Sequence, residues 1–165
     1  MIVVSNASPL ITLARIGRLE VMRELFARVQ VADEVRIEVV VRGAGRPGSV
    51  AVATAAWIEC HPALPAADLL ALRALHPLGT GELATVLLAQ TLRADLVIID
   101  ERNARRLARS MGLPVMGCIG ILELAHRRGL VADLAATYGQ QLAQGIRVDR
   151  RILDQSLDAC GLSPL

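Results

Sequence analysis

Lysine is absent from this sequence, and aromatic side chains are almost absent. All 18 basic residues are arginines, and aromatic residues make up 2% of the chain. Any mechanism that depends on a lysine amine is therefore excluded. The core must be aliphatic, because 53% of the residues are hydrophobic and so few of these are aromatic. The formal net charge of +2 is not typical of a protein that coats nucleic acid nonspecifically.

Several motifs of common α/β enzymes are also missing. No Gly-x-Gly-x-x-Gly follows the first apolar run, which argues against a dinucleotide-binding fold. The absence of Gly-Lys-Ser/Thr excludes a P-loop enzyme, and the absence of Gly-x-Ser-x-Gly disfavours an α/β-hydrolase. A phosphoreceiver domain would need an acidic pair after its first strand and a later lysine, and both are missing.

Cysteines are few, and no long apolar run occurs. Cys60, Cys118 and Cys160 lie far apart without a Cys-x-x-Cys pair, which argues against a disulfide framework or a zinc cluster and fits a reducing cytoplasm. We expect no signal peptide, because no basic segment followed by an apolar run opens the chain. No stretch reaches about 18 uninterrupted apolar residues, so no membrane span is expected. A length of 165 residues fits one domain.

Short β-branched runs alternate with helical patterns along the chain. Strands are predicted near residues 2–4, 29–31, 57–60, 96–99 and 114–116. Helices are predicted after Ser8-Pro9, over 18–26, after Asp33, over 67–76, 80–92 and 102–111, and in three segments from Gly120 onward. Residues 42–49 form the clearest predicted loop. This alternation favours an α/β fold with a parallel sheet covered on both faces.

Polar side chains follow two of the predicted strands. Asn6 comes directly after the first strand, and Asp100 comes directly after the fourth. Parallel strands end at one edge of the sheet, where open α/β sheets bind ligands, so both side chains are expected at that edge. Turn and cap roles are the simpler explanation of the same two residues.

Two glutamates on predicted helices extend this pattern. Glu82 lies in the first turn of the helix that precedes the Asp100 strand, so the two carboxylates can meet. An acid in a first turn also complements the helix dipole, which is the alternative interpretation. Glu38 lies on the third helix beside Val35 and Val39, and it either needs a buried partner or points to water.

Several acids that meet without a lysine favour a divalent ion with oxygen ligands. Mg²⁺ and Mn²⁺ prefer carboxylates and water, and a cation relieves the repulsion between like charges. Such an ion can activate water and stabilise an in-line phosphoryl displacement. Four arginines follow Asp100 at spacings that place them along one helix face, where they either contact an RNA backbone or face solvent. These are Arg102, Arg105, Arg106 and Arg109.

Six segments of the chain resemble, in order, a known family. They are Ile2–Ile11, Val35-x-x-Glu38, Leu78-Gly79-Thr80-Gly81-Glu82, Leu96–Arg102, Gly117–Leu122 and Arg128-Gly129-Leu130. Together they resemble PIN-domain proteins, specifically a prokaryotic PIN-like branch related to VapC toxins. Each segment alone is weakly diagnostic, whereas the ordered set is fairly specific.

The resemblance implies a PIN-like three-layer α/β/α domain with a central parallel sheet. We assign residues 1–145 to this domain and residues 146–165 to a C-terminal helical extension of the same domain. The family's catalytic positions fall on Asn6, Glu38, Glu82 and Asp100. The resemblance further implies that Asn6, Glu82, Asp100 and Glu101 bind Mg²⁺ or Mn²⁺, and that Ser8 supports Asn6 by hydrogen bonding.

The resemblance also implies binding partners and a reaction. RNA would be the substrate, and the reaction would be hydrolysis of its phosphodiester bonds. A small antitoxin protein masks the site in related toxins. The high apolar content and the resemblance together predict a homodimer.

Asn6 departs from the family pattern, because most active PIN nucleases have aspartate at this position. Asparagine offers a carbonyl oxygen but no charge, so metal affinity should fall. Two hypotheses follow, and the sequence leaves open whether Asn6 is natural to the branch or inactivating. The first is a metal-dependent ribonuclease, with the toxin of a toxin–antitoxin pair as one interpretation. The second is a catalytically weak module that binds RNA or protein.

Overall fold

The computed structural model describes residues 1–165 and contains five strands, ten α-helices and one π-helical turn. The strands are β1 (Val3–Ser5), β2 (Val29–Ala32), β3 (Ile58–His61), β4 (Leu96–Ile98) and β5 (Val115–Met116). The first helices are α1 (Ala7–Arg15), α2 (Glu20–Phe26), α3 (Asp33–Arg36), the π-turn (Ile37–Val41), α4 (Ser49–Thr54) and α5 (Ala66–Leu75). They are followed by α6 (Thr80–Leu92), α7 (Arg102–Ser110), α8 (Cys118–Arg127), α9 (Leu134–Ala143) and α10 (Arg150–Ala159).

The strands form one sheet in the order β3-β2-β1-β4-β5, and every neighbouring pair is parallel. Strands β1 and β4 are mainly apolar, and Val3, Val4, Val97 and Ile98 are all 1% exposed or less. Strands with both faces covered need such runs, because neither face meets water. The predicted parallel sheet is therefore confirmed.

Helices cover both faces of the sheet. In one layer α6 packs on β1, β2 and β4 and contacts α3, α5 and α7. In the other layer α1 and α2 pack against α8, which also contacts α9 and α10. Helix α6 is buried almost all round, as its apolar sequence predicts. The three-layer α/β/α architecture predicted from the sequence is confirmed.

Two local features differ from the sequence-based prediction. The third helix changes to a π-turn after one α-helical turn. The loop predicted over residues 42–49 leads into helix α4, which no sequence pattern predicts. Helix α4 contains Val50, Val52 and Thr54, whose helix propensity is modest. Val52 is buried in the core, so tertiary packing stabilises this short helix.

The C-terminal helices pack into the same core as the sheet. Leu153 and Leu157 of α10 are fully buried. The hydroxyl of Tyr138 on α9 lies 2.5 Å from Ser156 Oγ of α10, and both side chains are buried. The connection between the two helices can therefore hold a fixed position. None of the helices is both long and apolar enough to cross a membrane.

Candidate active site at the carboxyl edge of the sheet

Asn6 and Asp100 lie at the same edge of the sheet. Ser5 and Ile98 are paired in the register of β1 and β4, and the backbone N–H of Asn6 donates to Ile98 O at 2.9 Å. Asp100 follows two residues later in the chain. The parallel register of adjacent strands brings these two polar side chains to one end of the sheet, as the sequence predicts.

The side chain of Asn6 is buried against α6. Asn6 is 4% exposed, and Thr85 Oγ1 lies 3.3 Å from its Oδ1. The same hydroxyl donates to Gly81 O at 2.7 Å. Threonine has one hydroxyl proton, and the shorter distance favours Gly81 O as its acceptor. The contact between Thr85 and the side-chain oxygen of Asn6 is therefore the weaker of the two.

Glu38 reaches the same place from the π-turn. A Cβ on Gly81 would lie 2.6 Å from Glu38 Oε2 and 3.7 Å from Asn6 Oδ1. Only a residue without a side chain leaves room for this carboxylate. The wider π-helical turn that carries Glu38 is a rare geometry that occurs often at functional sites.

Glu38 and Glu82 affect each other electrostatically. Burial raises the pKa of Glu38, the negative charge of Glu82 raises it further, and Arg42 partly lowers it. Glu82 Oε2 accepts a hydrogen bond from the backbone N–H of Gly79 at 2.6 Å and so caps α6. Glu82 therefore caps α6 and also lies close enough to Glu38 to raise its pKa. Its role as a helix cap is compatible with a role in the site.

Asp100 is held by the start of α8 and by Ser8. Its Oδ1 accepts from the backbone N–H of Cys118 at 2.7 Å, and its Oδ2 lies 3.4 Å from Ser8 Oγ. Burial raises the pKa of Asp100, although the hydrogen bonds from Cys118 and Ser8 and the charge of Arg105 each lower it. The expected hydrogen bond from Ser8 to Asn6 is thus made to Asp100 instead, because α1 starts beside the end of β4.

Glu101 takes a different place. Its Oε2 accepts from the backbone N–H of Ala104 at 2.6 Å, which makes Glu101 the N-cap of α7. It lines neither of the two clefts at this edge. Its expected role as an auxiliary metal ligand stays a prediction.

Two adjoining clefts open at the carboxyl edge. The first, the Glu38 cleft, has a volume of about 750 Å³ and is lined by Asn6, Glu34, Glu38, Glu82 and three arginines. The second, the Asp100 cleft, has a volume of about 500 Å³. Four residues line both clefts and separate them: Ser8, Thr12, Ile146 and Arg147. The polar residues of the edge therefore face two neighbouring spaces that share one wall.

The comparison with protein families agrees with this architecture. A family model described as PIN domain matches residues 2–161. This chain belongs to the PIN-domain family. PIN domains have a nuclease-type fold and are generally nucleases. No curated relative matches the sequence.

The oxygen donors of this PIN domain fit a divalent metal ion. No group of three or more His, Cys, Asp or Glu side chains is placed to hold one. Mg²⁺ does not need such a group, because it keeps several waters and binds through one or two carboxylates plus substrate phosphates. Glu82, whose second oxygen is free of the cap, and the carbonyl oxygen of Asn6 are the residues of the Glu38 cleft that would hold such an ion.

Only one arginine of α7 lies at the site. Arg105 lines the Asp100 cleft and lowers the pKa of Asp100 by its charge. The other three members of the predicted face are exposed and line neither cleft, namely Arg102, Arg106 and Arg109. Their predicted contact with an RNA backbone stays a prediction.

Three charged residues of the Glu38 cleft and one of the Asp100 cleft were not identified from the sequence. Glu34 lines the Glu38 cleft and precedes Glu38 by one helical turn, a spacing that could have revealed it. Arg15 and Arg42 line the same cleft, and Asp149 lines the Asp100 cleft. Arg147 belongs to a basic group that the sequence indicates more weakly than the arginines of α7, and it lines both clefts. It comes from the connection between α9 and α10, and no local pattern places this segment beside α1.

Proposed function

We propose that this PIN domain is a metal-dependent ribonuclease that hydrolyses RNA phosphodiesters. The main support for the proposal is the lining of the Glu38 cleft. It contains the amide oxygen of Asn6, the carboxylates of Glu38 and Glu82, which repel each other, and three arginines. The carboxylates suit a cation, and the arginines suit the phosphate groups of a polyanion. A bound Mg²⁺ or Mn²⁺ would supply charge stabilisation and a more acidic water.

The residues divide between binding and proton transfer. Asn6 and Glu82 would hold the metal, with Asp100 as the next carboxylate along the edge. Glu38 Oε2 would accept a proton from the attacking water, because its raised pKa brings it closer to neutral pH than an ordinary glutamate. Arg15, Arg42 and Arg147 would bind phosphate oxygens and hold the backbone in line.

Cleavage of a mixed pool of transfer, ribosomal and messenger RNA tests this proposal. The assay compares Mn²⁺, Mg²⁺ and EDTA, and it includes Asp100→Asn and Glu38→Gln. The asparagine of Asp100→Asn keeps an acceptor oxygen for the Cys118 N–H, so the fold should survive the substitution. Asp158→Asn is the matched control, because Asp158 is exposed on α10 and lines neither cleft.

We expect metal-dependent cutting by the parent protein and the control, and a loss of about a hundredfold or more in the two site variants. Equal cutting by Asp100→Asn and the parent would remove Asp100 from the mechanism. An intact RNA pool under every metal condition, beside a PIN nuclease that cuts, would contradict the proposal.

A second candidate function is a binding module that retains the fold without efficient catalysis. The neutral Asn6 and the lack of a cluster of three ionisable ligands favour it. RNA binding that persists in EDTA without cleavage would support this alternative. Recovery of cutting by Asn6→Asp would instead identify a disabled nuclease.

The biological setting is proposed on the family resemblance alone. A toxin role with a small antitoxin partner, a cytoplasmic location and a homodimer all remain predictions. Exposed leucines on α5, Leu70 at 66% and Leu75 at 76%, are compatible with a contact between copies. Size-exclusion chromatography with light scattering tests the dimer, and a monomer at micromolar concentration would contradict it.

A further inference from the structure

The carboxylate of Glu38 is placed in the Glu38 cleft by the backbone that carries it. None of the four salt bridges of the molecule involves this residue. On its cleft side the carboxylate lies against Gly81, where an added Cβ would meet Glu38 Oε2 at 2.6 Å. A glutamate side chain has several rotatable bonds, so without an ionic partner its average position follows that of its Cα. The course of the π-turn therefore decides where this carboxylate lies.

One side of the π-turn is fixed in the core. The backbone N–H of Arg42 donates to Ile37 O at 2.8 Å, a bond across five residues that is characteristic of a π-helix. Val35 and Val39 are 1% and 2% exposed, so their side chains pack in the core. Closely packed interiors resist displacement. A force on this backbone should therefore move Glu38, whose side chain is exposed, more than it moves Val39.

The other side of the π-turn contacts Gly43, which is buried. A Cβ added to this residue would lie 2.2 Å from Val39 O, 3.0 Å from Val39 C and 3.2 Å from Glu38 O. Non-bonded carbon and oxygen atoms do not approach as closely as the shortest of these distances. All three neighbours are backbone atoms, which cannot rotate away as the end of a side chain can. A side chain at this position would thus displace the backbone that carries Glu38.

Space, and not backbone conformation, is what requires glycine at this position. Gly45 and Gly48, in the same loop, have φ values of +78° and +93°, in the left-handed region that favours glycine. Gly43 is not among the glycines with positive φ. An alanine could therefore adopt the backbone conformation of Gly43, and only the contact with the backbone of Glu38 and Val39 opposes it.

We propose that Gly43 is a positioning residue for Glu38. The absence of a side chain on Gly43 lets the π-turn close, and the closed turn directs the carboxylate of Glu38 to the cleft wall at Gly81, beside Asn6. The proposal rests on the ribonuclease function proposed above, in which Glu38 accepts a proton, and it adds a residue on which the place of that acceptor depends. Gly43→Ala would push the backbone of Glu38 outward, because Val39 is anchored in the core.

Crystal structures of the parent and of Gly43→Ala test the displacement directly. Both chains carry Gly139→Ala, which adds helix propensity where nothing lies within 4 Å of the new Cβ, so a moderate loss of stability should not prevent folding. We expect the Glu38 carboxylate to move away from Gly81 by about 1 Å or more, a misplacement large enough to affect catalysis, while Asn6 stays in place. A carboxylate that superimposes on that of the parent would overturn the proposal. A chain that does not fold even in this background would also overturn it, because Gly43 would then serve the fold as a whole.

A double-mutant cycle in RNA cleavage separates positioning from a general structural role. Single-turnover rates with Mn²⁺ are measured for Gly43→Ala, Glu38→Gln and the double variant. Gly43→Ala should lower the rate about tenfold or more in the parent and cause no further loss in Glu38→Gln, because it acts through Glu38. Met22→Ala is the control for lost stability, since Met22 is fully buried on α2 and lines neither cleft; it should leave the rate unchanged. Equal fractional losses from Gly43→Ala in both backgrounds would overturn the proposal.

The two experiments separate this proposal from the proposed function. If the carboxylate moves in Gly43→Ala but the parent cuts no RNA, Gly43 positions Glu38 and the ribonuclease proposal fails. If the parent cuts RNA and the carboxylate stays in place, the ribonuclease proposal stands and the role of Gly43 is refuted.

Discussion

At the scale of single residues, the most informative contact is the one between Asn6 and Thr85. The side-chain oxygen of Asn6 lies 3.3 Å from Thr85 Oγ1, and the same hydroxyl donates to Gly81 O at 2.7 Å. Asn6 is 4% exposed and lines the cleft that contains Glu38 and Glu82. A neutral amide adds no negative charge to these two carboxylates, which supports a neutral ligand at this position.

Asn6→Asp should be less stable than the parent protein in the absence of metal. With a divalent ion bound, the variant should be more stable than it is without the ion. The new carboxylate would be buried and would add negative charge beside Glu38 and Glu82, which costs about 1–3 kcal/mol of unfolding free energy. A divalent ion would compensate this charge. Urea unfolding with and without Mn²⁺ measures both effects, and Asn103→Asp, exposed on α7, is the control. A variant as stable as the parent in EDTA would contradict the expected cost of a buried charge beside Glu38 and Glu82.

Glu38→Gln should stabilise the protein at neutral pH. The pKa of Glu38 is raised in the folded state, so the folded chain binds a proton more tightly than the unfolded chain does. The fold therefore loses stability as pH rises from the ordinary value of 4.5 through the raised pKa. Glutamine does not titrate, so the variant does not lose this stability. The gain in unfolding free energy should be less than about 1 kcal/mol, because the residue is partly solvated. Urea unfolding should show a higher unfolding free energy for the variant at pH 7 and no difference from the parent below pH 4.5. A higher unfolding free energy at both pH values would show that titration of Glu38 is not the cause.

At the scale of elements, the sequence predicts regular structure well and its irregular parts poorly. The predicted strands agree with all five observed strands to within two residues. Buried strands such as β4 (Leu96–Ile98) are recognisable because they are apolar. A π-helical turn has no characteristic spacing of apolar residues that would reveal it in a sequence. The chain leaves this turn through Gly43, where an added Cβ would lie 2.2 Å from the carbonyl oxygen of Val39. Helix α4 depends on packing rather than on propensity. Glu38 could therefore be chosen from its sequence context, but its contact with Gly81 could not.

Gly81→Ala should separate activity from stability at the start of α6. The added Cβ would meet Glu38 Oε2 at 2.6 Å, and the flexible end of that side chain can move away. Alanine also favours a helix by up to about 1 kcal/mol, so thermal stability should hold or rise. Displacement of Glu38 should lower the rate of RNA cleavage by about tenfold or more. Gly139→Ala on α9 is the control, because nothing lies within 4 Å of its added Cβ; equal rates in the two variants would contradict the role of Gly81.

At the scale of the whole molecule, the two clefts depend on segments that are distant in the sequence. Ile146 and Arg147 complete the wall that Ser8 and Thr12 begin. Arg15 donates to the carbonyl oxygen of Gln144, which anchors this connection to α1. Local patterns predict a helix on either side of the connection but cannot predict what it covers, because the contact joins residues that lie 129 positions apart in the sequence.

Leu153→Ala tests whether α10 belongs to the core that holds these clefts. Leu153 is fully buried, so the substitution should lower the unfolding free energy by about 2–5 kcal/mol, from lost burial and the cavity left behind. Ile152→Ala, at a neighbour that is 49% exposed, should cost far less. Urea unfolding followed by circular dichroism and by the fluorescence of Trp57 should give one transition in both variants. A separate early transition in Leu153→Ala would instead show α10 as an independently melting segment, and the shared wall of the clefts would then open without unfolding of the sheet.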